Sequence, residues 1–275
     1  MGCPRPSIRA CIFDMDGLLI NSEDKITSSI NQLLEKHGRP PLTRSIRARL
    51  MGVPGSTNSD LFHDWAKLPI SHEQWALESA KHMRLHFSNC MPMPGAEQLV
   101  HNLSRAHSAA SGYRMKLALA TGAKRQSYEV KTSRPETKRL IDFFPPEQRI
   151  LGDDLRIPKG RGKPAPDIYL VALQALNSAV SFGEKVILPS ECLVFEDSLV
   201  GVEAARRAGM RVVWVPHPDL LAEYQDQQKD ALATRTGVFQ AGDEWQPGEM
   251  ADDWSETIRI LEHFDYERYA IDLSV

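Results

Sequence analysis

The sequence predicts an α/β protein with a Rossmann-like, open and mostly parallel sheet, interrupted after its first strand by a block of helices. Three observations carry this. Cys11-Ile12-Phe13 is a short apolar run that stops abruptly at Asp14, as a strand buried on both faces does at its carboxyl end. From about Ser22 to Asn89 the apolar residues recur at helical spacing instead. From Met115 onward, apolar runs of strand length alternate with helical stretches, the order that builds a parallel sheet with helices on both faces.

Within the helical block, Ile26, Ile30, Leu33 and Leu34 share one face, and Gly38-Arg39-Pro40-Pro41 ends that helix. Further helices are expected over 44–50, 58–66 and 71–87, with Met51-Gly52-Val53-Pro54-Gly55 as a loop whose composition excludes regular structure. Pro92 to Gly95 punctuates the chain before a helix over 96–106 and a strand over 115–120. Arg149 to Gly152 reads as a short strand and Pro166 to Leu176 as a helix with proline in its first turn. A buried strand over 192–195, a helix over 200–208 closed by Gly209, and a strand over 211–215 complete the alternation. Residues 221–246 are polar and weakly periodic, expected as surface helix and loop, and 254–264 is expected as a last helix. The chain thus divides into a discontinuous α/β core, 1–20 with 93–275, and a helical lid, 21–92, carried on two neighbouring crossings.

The 275 residues are ample for a sizeable core. A formal charge of −3, with basic residues scattered rather than blocked, gives no general attraction to nucleic acid or to a membrane. Any phosphate recognition must therefore be local. Cys3, Cys11, Cys90 and Cys192 lack metal-type spacing, and two lie in apolar strand-like runs, which suits a reducing cytosol and a cytoplasmic protein. No apolar run is long enough to span a bilayer, and MGCPRPS departs from a myristoylation signal at Pro6. A monomer is expected.

Asp14 and Asp16 follow the first strand with Gly17 behind them, so two carboxylates and a permissive backbone meet at one spot. Such a pair repels unless a hard cation such as Mg²⁺, or one shared proton, lies between them. A calcium loop would continue with further oxygen ligands, whereas Leu18-Leu19-Ile20 follow here. Thr121-Gly122 ends another strand with a hydroxyl and a free N–H suited to phosphate oxygens, although a helix cap is the ordinary use of such a threonine. Lys163 stands in a Gly- and Pro-rich turn before a helix, a rigid setting for a lysine that is merely solvated. Glu196-Asp197-Ser198 follows the strand over 192–195; Ser198 suits capping of the next helix, while Asp197 remains free to bind metal. Acid, hydroxyl, lysine and acid at four strand ends form a joint pattern that capping does not explain.

The set Asp14-Met15-Asp16-Gly17, Thr121, Lys163-Pro164-Ala165-Pro166-Asp167 and Glu196-Asp197, with Gly201-Val202-Glu203-Ala204-Ala205 and Ala208-Gly209-Met210, resembles the haloacid dehalogenase superfamily of phosphohydrolases. The similarity covers about residues 8 to 220, and in this order and spacing it is highly specific. Lys131-Thr132-Ser133-Arg134, Leu151-Gly152-Asp153-Asp154, Val194-Phe195-Glu196-Asp197 and Met93-Pro94-Gly95-Ala96-Glu97 resemble the branch of pseudouridine-5′-phosphatases and their fungal relatives.

The resemblance implies a C1-type helical cap on the core and a Mg²⁺-dependent phosphoric monoester hydrolase acting on a small phosphorylated metabolite, such as pseudouridine-5′-phosphate or a sugar phosphate. It implies that Asp14 attacks phosphorus to form an aspartyl phosphate and that Asp16 acts as general acid and base. Mg²⁺ would be held by Asp14, the backbone carbonyl of Asp16 and Asp197, with Glu196 acting through water. Thr121, Gly122 and Lys163 would bind phosphate. Substrate choice would fall to Gly52 and Val53 in the lid and to Lys124 and Arg125 in the core.

Halide-cleaving relatives resemble the first motif without its second aspartate, so Asp16 argues for phosphate. A β-phosphoglucomutase-type phosphotransferase is the nearer alternative, but its lid carries basic anchors for a second phosphate where this chain has Met51 and Gly55. A non-catalytic phosphometabolite binder is a third reading, one that gives no use to a second aspartate. Asn21, where relatives have aspartate, is expected to keep a lid-hinge hydrogen bond, and Ala123 lacks a hydroxyl that the closest branch carries.

Overall fold

The computed structural model describes residues 6–51, 55–234 and 252–274, with the side chains of 55–59 left aside. The chain opens with β1 (Ala10–Phe13), buried along its whole length, then runs through four helices: α1 (Ser22–Lys36), α2 (Arg44–Leu50), α3 (Gly55–Ala66) and α4 (His72–Phe87). Thr43 and Ser71 cap α2 and α4 by accepting from Ile46 N–H and Gln74 N–H. Next come α5 (Ala96–Arg105), the two-residue β2 (His107–Ser108), β3 (Lys116–Ala120), α6 (Arg125–Lys131), α7 (Pro135–Ile141) and β4 (Arg149–Ile150). Then follow α8 (Asp167–Ser178), β5 (Cys192–Glu196), α9 (Leu199–Arg207), β6 (Arg211–Trp214), α10 (Pro218–Glu223), α11 (Gln228–Leu232), β7 (Ser255–Thr257) and β8 (Ile271–Asp272).

Six strands form one sheet in the order β4-β3-β1-β5-β6-β7, with every neighbouring pair parallel. Side chains alternate across β1. Cys11 and Phe13 join one apolar cluster with Leu99 and Leu103 of α5, and Ala10 and Ile12 join a second with Tyr169 of α8 and Val202 of α9. Phe13 stacks on its register partner Phe195, ring centres 4.6 Å apart. A strand covered on both faces has no polar side chain to place until it leaves the sheet, so its first carboxylate falls at its carboxyl end.

The helical insertion has a small core of its own, in which Leu33, Leu34, Phe62, Ala66 and Trp75 pack together. Its two connections run side by side: Ile20 bridges Pro92, Asn21 N–H donates to Met91 O at 3.0 Å, and Met91 N–H donates to Asn21 Oδ1 at 2.9 Å. The amide side chain of Asn21 thus makes the hinge contact expected of it. Away from the hinge, α2 docks on α10, where Arg47 donates to Asp219 at 2.8 Å and Ser45 to Glu223 at 2.8 Å.

Two stretches differ from the sequence expectation. Residues 254–264 do not form a helix: β7 extends the sheet alongside β6, and only Leu261–His263 makes a turn of 3₁₀-helix. Ile258, Leu261 and Phe264, spaced three apart, imitate a helical face, but β6 leaves an open edge that pairs with Trp254 O and Ile258 N–H. Leu261 and Phe264 then fill the cluster around Phe13. Helix α6, which contributes Tyr128 and Lys131 to the interior, and α7, which contributes Leu140 and Ile141, lie where no element was expected. Of the polar stretch 221–246, residues up to 234 form the end of α10 and α11, and the remainder falls outside the described residues.

Candidate active site

Asp14 is the first residue beyond β1 and is 6 % exposed, its N–H donating to Phe195 O of the neighbouring strand. Thr121 follows β3, Lys163 lies on the loop between β4 and α8, and Glu196 and Asp197 end β5. Because these strands are adjacent and parallel, all four segments open on one crevice at the carboxyl edge of the sheet. Lys163 Nζ lies 2.6 Å from Asp14 Oδ1, 2.5 Å from Glu196 Oε1 and 3.2 Å from Ala120 O, so one ammonium ties three strand ends together.

Glu196 is fully buried, and its charge is satisfied by more than Lys163. Tyr169 Oη donates to Oε1 at 2.5 Å, while Ser198 N–H and Oγ donate to Oε2 at 3.1 and 3.0 Å. Ser198 also caps α9 by accepting from Gly201 N–H. A Cβ on Gly201 would overlap the Glu196 carboxylate, so only glycine leaves room for the pair. A Cβ on Gly17, where φ is +80°, would likewise overlap Asp197.

Asp14, Glu196 and Asp197 each offer a carboxylate oxygen within 4.8 Å of the others. Three buried carboxylates against one lysine leave excess negative charge in a place with little water. Burial, and after it the carboxylates of Glu196 and Asp14, hold the Asp197 carboxyl well above the ordinary carboxylate range. Burial also pushes Asp14 up, to about 7, with Lys163 opposing and Glu196 and Asp16 adding to the rise. For Lys163 burial works against the charge, but Asp14 and Glu196 outweigh it and hold the ammonium well above its usual range. An all-oxygen donor set with unbalanced negative charge fits a hard divalent cation such as Mg²⁺.

Asp16 has a different environment. Lys131 Nζ donates to its Oδ1 at 2.6 Å and Thr121 Oγ1 to its Oδ2 at 3.3 Å. Burial acts to raise Asp16, but Lys131 together with the hydroxyls of Ser22 and Thr121 keeps the carboxyl below its ordinary value. Two aspartates two residues apart are therefore pushed in opposite directions by their surroundings.

A cavity of about 700 Å³ begins at Asp14, Asp16, Gly122, Lys163 and Asp197 and extends beneath the insertion to Phe62 and Trp75. Gly122 is exposed at its mouth. Lys124 and Arg125 are exposed and do not line it; Arg125 N–H bonds the Asp153 carboxylate instead. Gly52 and Val53 lie outside the described residues. Lys131 and Gly201 fall in motifs that carry the resemblance, but their contacts with Asp16 and Glu196 were not assigned from the sequence, and Tyr169 was not singled out; each sits on a helix whose register with the crevice only the fold sets.

Fold and crevice define an α/β enzyme of the open-sheet type, with a carboxylate pair, a lysine and an acidic cluster at one strand edge. A family model described as haloacid dehalogenase-like hydrolase matches residues 8–209. The uncharacterized protein C4C5.01 of Schizosaccharomyces pombe is 37 % identical over 261 residues, 94 % of this chain and 93 % of that protein. A Saccharomyces cerevisiae protein named "probable pseudouridine-5′-phosphatase" is 36 % identical over 222 residues, 81 % of this chain and 88 % of its own length. In fold, a family IA, variant 3 hydrolase of the same class from Entamoeba histolytica superposes with a TM-score of 0.61 at 20 % identity, covering 96 % of this chain and 98 % of that one. The chain belongs to the haloacid dehalogenase-like hydrolase family.

Proposed function

We propose that this hydrolase is a Mg²⁺-dependent phosphatase of a small phosphate monoester, with the insertion 21–92 acting as a cap over the core. The observation that carries the reading is the contact of one buried lysine with both Asp14 and Glu196. It brings the nucleophile, a cation for the phosphoryl oxygens and the acidic cluster to a single point.

Asp14 attacks phosphorus in line through a carboxylate oxygen, and the bond from phosphorus to the alcohol oxygen breaks as Asp16 protonates that oxygen. Asp16 rests ionised against Lys131; an incoming phosphate dianion raises its proton affinity by like-charge repulsion, and it takes up from solvent the proton that it passes to the leaving oxygen. Water then attacks the aspartyl phosphate, Asp16 takes its proton, and inorganic phosphate leaves with Asp14 restored. Lys163, Thr121 and the Gly122 N–H take the phosphoryl oxygens. Asp14, Asp197 and the Asp16 carbonyl would hold Mg²⁺, with Glu196 behind them; the ion, when bound, supplies charge neutralisation at phosphorus.

The name of the yeast relative makes pseudouridine-5′-phosphate the first substrate to try, with sugar phosphates next. A panel of monoesters assayed with Mg²⁺ and with chelator tests the reading. Release of phosphate that stops with chelator, and in both Asp14→Asn and Asp16→Asn, is the expected result. Turnover that survives chelation or Asp14→Asn would overturn it.

A further inference from the structure

Four acids line the cavity among the described residues: Asp14, Asp16, Asp197 and Glu23. Chemistry accounts for the first three. Glu23 belongs to the insertion, in the first turn of α1 just past the hinge. An acid there ordinarily serves the helix dipole from the solvent side, as its neighbour Asp24 does, exposed and paired with Arg47. Glu23 instead turns inward and is half-buried, its Cγ 2.9 Å from where a Gly17 Cβ would stand. It is therefore pressed against the loop that carries the two catalytic aspartates. No donor reaches its carboxylate among the described residues, and it is not part of the cluster of Asp14, Glu196 and Asp197.

Beyond Glu23 the cavity turns apolar. Ile26 and Ile30, three and seven residues along the same face of α1, lead to Leu50, Met83 and Trp75. Glu23 thus stands between the reacting centre and the apolar compartment, where the first carbons of the alcohol would lie. A half-buried acceptor left without a donor is a binding group for whatever supplies one.

We propose that Glu23 is the specificity-determining residue for the alcohol: its carboxylate accepts a hydrogen bond from a hydroxyl within three carbons of the ester oxygen and repels a second phosphate. The substrate class is a monophosphate of a hydroxylated alcohol rather than a bisphosphate. This rests on the phosphatase reading above. Glu23 makes and breaks no covalent bond, so its loss alters the ranking of substrates rather than the chemistry.

The test compares kcat/KM for glycerol-3-phosphate and n-propyl phosphate, which share a chain length and differ in their hydroxyls, with Mg²⁺ present. The wild-type chain is expected to prefer glycerol-3-phosphate by about tenfold or more, because a site built for a hydroxyl rejects an analogue that lacks it. In Glu23→Ala the preference should shrink to within about threefold through loss on glycerol-3-phosphate alone, and Glu23→Gln, of the same shape, should retain part of it. Glu23→Gln should also raise turnover of fructose-1,6-bisphosphate relative to fructose-6-phosphate. Equal losses on the two three-carbon esters would overturn the assignment of Glu23 and leave the phosphatase intact. Failure of the wild-type chain to hydrolyse any monoester, p-nitrophenyl phosphate included, would overturn both.

Discussion

Lys131 Nζ lies 2.6 Å from Asp16 Oδ1, so the aspartate proposed as acid and base has its own ammonium, separate from the one that serves Asp14. Lys131 is 5 % exposed, and its charge also rests 4.4 Å above the ring of Phe87, at the end of the insertion's last helix. The partner of Asp16 is thus packed against the insertion itself.

Replacing Lys131 by Met keeps the bulk and removes the charge, leaving Asp16 with neutral hydroxyl partners such as Thr121. General acid–base groups contribute about 10² to 10⁴ in rate, so misplacing one should lower kcat by at least about tenfold on an alkyl phosphate. Loss should be smaller on p-nitrophenyl phosphate, whose leaving group needs no proton. Steady-state kcat on both esters checks this, and equal losses would place Lys131 on phosphate rather than on Asp16.

Gly201→Ala should harm both stability and activity. The added methyl would overlap the Glu196 carboxylate, which is held on four sides by Lys163, Tyr169, Ser198 and α9. Overpacking of this kind costs about 1–3 kcal/mol and should appear as a fall in Tm. Displacing Glu196 also frees Lys163 from one of its two acids, so activity should fall by more than the folded fraction does. Gly162→Ala, where a Cβ meets nothing within 4 Å, is the control for Tm.

How much of this was legible in the sequence depends on where each residue sits relative to a strand. Asp14, Thr121 and Asp197 end buried strands, and because parallel strands share a carboxyl edge, their convergence could be read from apolar runs alone. Lys163 was legible through its turn. Lys131, Tyr169 and Glu23 reach the crevice from helices, where one residue of rotation decides between interior and solvent, and neighbouring loops set that rotation. The last strand was misread for a related reason: Ser255-Glu256-Thr257 is polar, as an edge strand is, and the apolar residues after it pack at a spacing of three without being helical.

The acidic cluster should make Mg²⁺ binding depend on pH. Asp14, at about 7 without metal, lies above its ordinary value because burial disfavours the charge. A carboxyl raised in the folded state favours folding at low pH, and that contribution is lost as pH climbs from its ordinary value, 3.8, through about 7. The metal-free chain should therefore lose stability over that interval, and Mg²⁺, which needs the ionised form, should restore more of it at pH 8 than at pH 6. Below pH 7 apparent Mg²⁺ affinity should weaken by about tenfold per pH unit for each carboxyl that must lose a proton. Titration calorimetry at three pH values, with Tm measured in parallel, checks both signs. A Tm gain from Mg²⁺ that is independent of pH would show that the ion binds elsewhere.

Arg47 is expected to govern how firmly the insertion sits on the core. Its guanidinium joins Asp219 of α10 at 2.8 Å and Asp24 of α1 at 2.5 Å, with His217 Nε2 3.1 Å away, so one side chain links the insertion to the core far from the hinge. These groups are partly exposed, and such pairs contribute about 0–1 kcal/mol each, too little to decide global folding. They bear instead on a local equilibrium, since the two strands of the hinge hold whether or not α2 is docked. Arg47→Ala should leave Tm nearly unchanged, raise KM severalfold and speed amide exchange in α2 and α10. Asp219→Asn should do the same, and the double variant should be no worse than either, because both remove one contact. Additive effects on KM would mean that the two residues act separately, and an unchanged KM with unchanged exchange would show that the hinge alone positions the insertion.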